Sequence, residues 1–246
     1  MKKLLLSTAF ATLALPALAA DLKEMTDEER AQFRAEVRAY LFENPEVIME
    51  AVDILREREA EQQARADIDL VTQYADQIFN DGYSYVGGNP DGDITLVEFL
   101  DYRCGYCKRA HGEVAELLET DGNIRLIVKE LPILGDASVL ASRFAVAVKQ
   151  VAGDDSYKAV GDALMSFNGE ITMPALRRLG ATFGLDMDAV EVRMGSEDVT
   201  AEIAATRQLA AALAISGTPT FVMHDELLRG YLPLDQMQLI VDEKRG

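Results

Sequence analysis

The hydrophobic period changes near Tyr83, and that change divides the 246-residue chain into parts that cannot share one architecture. Residues 21–82 hold no glycine before Gly82 and a single proline, Pro45. Apolar residues recur there at helical spacing: Phe33, Val37, Tyr40 and Leu41, then Ile48, Val52 and Leu55, then Ile68, Val71, Ala75 and Ile78. Thr26-Asp27-Glu28-Glu29 reads as a capping box, in which the threonine hydroxyl takes one orphan amide and Glu29 reaches back. Asn44-Pro45-Glu46 restarts a helix, with Pro45 where a missing N–H does no harm. Residues 56–67 between the apolar groups are charged and read as solvated, and the segment as a whole carries 17 acidic against 7 basic residues. A long helix with so thin an apolar stripe buries too little alone. It is expected to cover the stripe with the following domain or with copies of itself.

Beyond Tyr83 the pattern becomes that of an α/β sheet. Strands are expected at 83–86 and 94–100, separated by the turn Gly87-Gly88-Asn89-Pro90-Asp91-Gly92. A helix over 104–118 and a strand at 124–128 follow. Residues from about 136 to 215 contain no convincing strand and read as several short helices. Strands at 220–223 and about 227–230 and a helix from Leu234 to about Glu243 close the chain. Strand, helix, strand, helical block, two strands, helix suggests a sheet interrupted by a helical insertion.

Composition narrows the function. Lys and Arg number 24 against 42 Asp and Glu, a formal net charge of -18, and such a surface repels nucleic-acid phosphates and anionic lipid. Two Cys and two His exclude a multi-cysteine disulfide framework and a four-cysteine zinc site. Lys2 and Lys3, the apolar run 4–15 and Ala17-Leu18-Ala19 have the layout of a signal peptide cleaved after Ala19. The run is too short for a spanning anchor, and no later stretch is apolar enough to span a bilayer. The mature protein is therefore expected in the periplasm, outside the reducing cytosol, where paired cysteines are free to form disulfides.

Both cysteines lie in Cys104-Gly105-Tyr106-Cys107, where a strand hands over to a helix. There Cys104 faces unpaired amides and the positive end of the helix dipole, which favour a thiolate. Arg103, Lys108, Arg109 and His111 are expected to add positive charge nearby. Cys107, one turn deeper, is the expected resolving thiol, releasing a substrate held on Cys104. As a structural bridge the four-residue loop would contribute only about 1.9 kcal/mol, against about 4.7 for a 100-residue loop. A copper or zinc site built from Cys104, Cys107 and His111 is the alternative, with a carboxylate completing it.

The run from Phe99 to Cys107, together with Gly217-Thr218-Pro219-Thr220-Phe221, resembles thioredoxin-fold proteins of the DsbA family over residues from about 83 to 246. The resemblance implies a thioredoxin fold with a helical insertion and a thiol:disulfide oxidoreductase that needs no cofactor. It implies a cis Pro219 facing the cysteines, with Thr218, Pro219, Gly105 and Tyr106 bordering a groove for an extended client strand. It also implies that Glu98 relays the proton of the buried thiol, with Lys129 a candidate partner for it. Gly-Tyr between the cysteines, with Thr218 before the proline, looks more like the isomerase and reductase branch than the oxidase. Residues 20–82, through Glu43-Asn44-Pro45-Glu46-Val47-Ile48, resemble the N-terminal region of ScsC-type members. That implies a homotrimer, the alternative being helices folded back on their own domain. The expected partners are cysteine-bearing proteins and a redox protein that recycles the pair.

Overall fold

The computed structural model describes residues 25–246, so the expected signal peptide lies outside the described residues. The chain divides into two compact units, one ending at Arg58 and one running from Glu59 to Gly246.

In the first unit, α1 (Asp27–Glu43) precedes the start of α2 (Glu46–Gln73). The capping box forms: the Glu29 amide donates to Thr26 Oγ1 at 3.3 Å, and the Thr26 amide donates to Glu29 Oε2 at 2.8 Å. Nothing on α1 is buried, and Phe33, Tyr40, Ile48 and Leu55 all stand exposed.

The second unit contains the end of α2, α3 (Ala75–Phe79), β1 (Tyr85–Gly88), β2 (Ile94–Leu100), α4 (Gly105–Asp121) and β3 (Ile124–Glu130). The helical block follows as α5 (Asp136–Ala152), α6 (Asp154–Met165), α7 (Met173–Thr182), α8 (Met187–Met194) and α9 (Glu197–Ala212). It ends in β4 (Thr220–Met223), β5 (Glu226–Arg229) and α10 (Leu234–Arg245). The strands form one sheet in the order β1-β3-β2-β4-β5, with β2 and β3 parallel and the other pairs antiparallel. This is the expected α/β sheet with its helical insertion.

Three local outcomes differ from the sequence expectation. The first strand begins at Tyr85 rather than Tyr83, because the Asp81 carboxylate gathers the amides of Tyr83 (3.1 Å) and Ser84 (2.9 Å) into a turn. The expected domain boundary at residue 82 falls inside the second unit. Its physical basis is burial: Val71 and Ile78 pack with Val97, Phe99 and Val222 on one face of the sheet. Finally, the charged stretch 56–67 is exposed except at its last residue, Asp67, which is buried against the Arg229 guanidinium.

Strand alternation sorts β2 between the two faces. Val97 and Phe99 point into the cluster that holds Val71 and Ile78. Ile94 and Leu96 pack against Ala110, Val114 and Leu117 of α4, and Leu100 joins Cys104, Cys107 and the helical block. Glu98 belongs to this second face.

Candidate active site

The site begins with the turn that delivers Cys104. Asp101 is fully buried, and its carboxylate accepts from the amides of Arg103 (2.8 Å), Ile133 (2.9 Å) and Leu134 (3.0 Å) and from the Ser138 hydroxyl (2.8 Å). One carboxylate thus ties the end of β2 to the loop after β3. The Cys104 amide donates to the Asp101 carbonyl at 3.0 Å, and Cys104 becomes the N-cap of α4. Its own carbonyl accepts the first helical bond, from the Lys108 amide at 3.1 Å. The amides before Lys108 lack helical partners and surround the cysteine.

Cys104 Sγ donates to the Thr218 carbonyl at 3.0 Å across 114 residues of sequence, and the Thr218–Pro219 peptide is cis as expected. Just beyond it, the Pro219 carbonyl accepts from the Gly230 amide at 3.0 Å. Cys107 lies one position short of a full turn further on and is completely buried, against 8% exposure for Cys104. Both are free thiols. Burial pushes the Cys107 thiol well above its ordinary range, and the charge of Glu98 adds to the shift. Tyr106 projects outward at 61% exposure, its ring 6.0 Å from that of Tyr231. A side chain at Gly105 would meet nothing, so that position opens onto the surface.

The expected cationic cluster disperses. Arg103 donates to the Leu134 carbonyl at 3.2 Å, Lys108 to the Phe167 carbonyl, and Arg109 stacks on Tyr231 at 4.5 Å. His111 pairs with Asp162 at 3.1 Å, and burial draws its ring below the ordinary histidine value. The electrostatic support left at Cys104 is the helix terminus itself. The metal alternative loses its third ligand for the same reason, and among the described residues no group of three or more His, Cys, Asp or Glu is placed to hold a metal.

Glu98 is 2% exposed, lines a cavity with His111 and Val114 of α4, and its Oε1 lacks any partner. Burial, reinforced by the charge of Glu130, pushes its carboxyl up to about 8. Lys129 is not its partner. In the parallel β2–β3 register Glu98 stands opposite Val128, and Lys129 stands opposite Phe99 on the other face. There Lys129 pairs with Asp81 and donates to the Gln77 carbonyl at 2.8 Å. The residue that does share the face is Glu130, which the sequence reading did not single out. Its only signal was its spacing of two from Val128 on the adjacent strand. Tyr102, Ser142 and Tyr157 hydroxyls donate to Glu130 at 2.6, 2.7 and 2.7 Å.

Against known proteins, the model of the DSBA-like thioredoxin domain matches residues 95–242. The chain belongs to that family. As a member with both cysteines placed for exchange, it is assigned thiol–disulfide oxidoreductase chemistry. The N-terminal domain of copper resistance protein ScsC matches residues 29–62. A thioredoxin-like oxidoreductase from Silicibacter pomeroyi DSS-3 is 42% identical, covering 69% of this chain and 96% of its own, with a TM-score of 0.65. The thiol-disulfide exchange protein alpha-DsbA2 from Wolbachia pipientis is 30% identical over 73% of this chain and 96% of its own, at 0.68. Proteus mirabilis ScsC in a transitional conformation is 28% identical over 89% of this chain and 98% of its own, at 0.65. Curated relatives are Na(+)/H(+) antiporters NhaA. The one from Salinispora tropica is 27% identical over 157 residues, and the match spans 64% of this chain but only 24% of the antiporter. Among the described residues no helix is long and apolar enough to cross a membrane.

Proposed function

We propose that this DSBA-family protein is a periplasmic thiol:disulfide interchange protein that isomerises or reduces disulfides of exported proteins. The observation that carries the reading is the position of Cys104 Sγ, at a helix start, 3.0 Å from the Thr218 carbonyl and above a fully buried second cysteine.

In this reading the Cys104 thiolate attacks one sulfur of a client disulfide. A Cys104–client mixed disulfide forms, and the other client sulfur leaves as a thiolate and takes up a proton. The intermediate then has two exits. A second client thiolate attacks the client sulfur, forming a new client disulfide and freeing Cys104, which is isomerisation. Alternatively Cys107 gives up its proton, attacks Cys104 Sγ and expels the client thiol, which leaves the pair oxidised and in need of a reducing partner. Thr218, Pro219, Gly105 and Tyr106 border the groove in which an extended client segment lies beside Cys104, and Glu98 takes the Cys107 proton.

The first unit supports an assembly. Phe33, Val37 and Tyr40 on α1, and Ile48 and Leu55 on α2, are exposed apolar residues at helical spacing. Burying them between copies gives a homotrimer with several redox domains around one client. Light scattering on the protein without residues 1–19 is expected to give a trimer. Replacing Phe33 and Val37 together with Glu should yield a monomer that still reduces insulin but loses most refolding of scrambled ribonuclease. A monomeric parent protein, or a monomeric variant that refolds ribonuclease at the parental rate, would remove the trimer from the account.

A further inference from the structure

Glu130 sits at the end of β3, 4% exposed, on the same face as Glu98 and two positions from the residue opposite it. The charge of Glu130 adds to burial in raising the Glu98 carboxyl. Their surroundings differ. Glu130 receives three hydroxyl donors, from Tyr102, Tyr157 and Ser142, all arranged to hold an anion. Glu98 has an oxygen with no partner, and its charge bears on the Cys107 thiol.

We infer that Glu130 is a positioning residue: held by three hydroxyls on the face it shares with Glu98, it sets negative charge on the side of a carboxyl that burial already disfavours ionising, and so delays the attack of Cys107 on the mixed disulfide. The inference deepens the proposed function and rests on it. Below the ionisation of Glu98, Cys107 has no base, and a client bound to Cys104 stays bound long enough for its own thiols to rearrange. When Glu98 ionises it accepts the Cys107 proton, Cys107 Sγ bonds to Cys104 Sγ, and the Cys104–client bond breaks with its electron pair on the client sulfur. Glu98 also lines a cavity of about 500 Å³, so its proton has an exit that does not pass the thiols.

The other charged and titratable groups around the pair do not replace Glu130. Tyr102 and Tyr157 are held far above neutrality by burial and by Glu130 itself. From α4, His111 is drawn down by burial and engaged with Asp162, to which Lys158 of α6 also donates. Tyr85 of β1 lines the same cavity and is likewise raised by burial. From α9, Glu202 adds a further negative influence on Glu130. Burial lifts Glu130 to about 7 against the pull of its hydroxyl donors, still below the value of about 8 for Glu98.

The reduced full-length protein, mixed with dithiobis(nitrobenzoate), releases one nitrothiolate when Cys104 attacks and a second when Cys107 closes the pair. In the parent protein the second phase is expected to rise with pH around the Glu98 ionisation, near 8. Glu130→Gln removes the repelling charge, so that midpoint should fall by about one pH unit and the second phase at pH 7 should quicken about fivefold. The first phase should not change. Tyr157→Phe, which removes one hydroxyl donor, should move the midpoint the same way by a smaller step. Glu98→Gln should flatten the profile and slow the second phase at least about tenfold above pH 8. The parental midpoint retained in both Glu130→Gln and Tyr157→Phe would overturn the inference. Loss of the first phase in the parent protein would instead overturn the proposed function.

Discussion

Cys104→Ala is expected to bring insulin reduction down to the uncatalysed rate, a fall of at least about a hundredfold, while the fold persists. The size of the effect follows from the absence of a substitute: the described residues contain only one other sulfur nucleophile, Cys107, and it is fully buried. Cys107→Ala should behave differently. It keeps the attacking sulfur, its helix N-terminus and the Thr218 carbonyl, so the mixed disulfide still forms but leaves only through client thiols. On a non-reducing gel the second variant should accumulate a covalent client adduct that the first never shows. Thermal unfolding separates chemistry from folding here, since Cys104→Ala touches only the edge of the core. A Cys104→Ala protein that reduces insulin at the parental rate would refute the assignment.

The second large effect concerns stability. Lys129 is completely inaccessible, and its ammonium meets Asp81, itself only 8% exposed, with further bonds to the Gln77 carbonyl and the Ser84 hydroxyl. Burial by itself would raise Asp81, but hydrogen bonds from Lys129 and Ser84 outweigh it and hold the carboxyl below its ordinary value. Burial draws Lys129 downward too, Asp81 opposing the shift. The pair therefore resists desolvation rather than gaining from it, and removing one member strands the other. Lys129→Met should cost about 3–5 kcal/mol. For a unit of this size that is a fall in Tm of about 6–20 °C. Adding Asp81→Asn should recover much of the loss, because no buried charge is then left alone.

The pH dependence has a definite sign. A carboxyl whose folded value is depressed contributes stability above its unfolded value, near 3.8, and loses it as pH falls through the folded value. The gap between the parent protein and Lys129→Met should accordingly be full at neutral pH and narrow below about pH 4. An equal Tm for the two proteins at pH 7 would show that the pair is not needed to hold α3 and β3 together.

Much of this architecture was legible because it rests on period and punctuation. The switch from a helical stripe to alternating strands at the start of β1, and the helical block after β3, are local patterns that tertiary packing did not override. The Cys-x-x-Cys at a strand-to-helix junction and the Thr218-Pro219 turn were legible as motifs, although only the structure brings them within 3.0 Å. What escaped depended on direction rather than identity. Arg103, Lys108 and Arg109 were correctly placed in sequence beside Cys104, yet each reaches a carbonyl or ring elsewhere. Lys129 is one residue out of phase with Glu98, and in a strand one residue is the opposite face. Glu130 lies beyond the expected strand at 124–128, and the three hydroxyls that hold it come from the turn before Cys104, α5 and α6. The expected boundary at residue 82 followed the change of period, whereas the burial of Val71 and Ile78 places the end of α2 with the sheet.

The division of labour between two sulfurs is most directly tested by limited alkylation of the native, fully reduced protein, with peptide mapping by mass spectrometry. Sub-stoichiometric iodoacetamide should label Cys104 almost alone, with Cys107 reacting only once the protein is denatured. Equal labelling of both, or labelling of Cys107 first, would contradict the account.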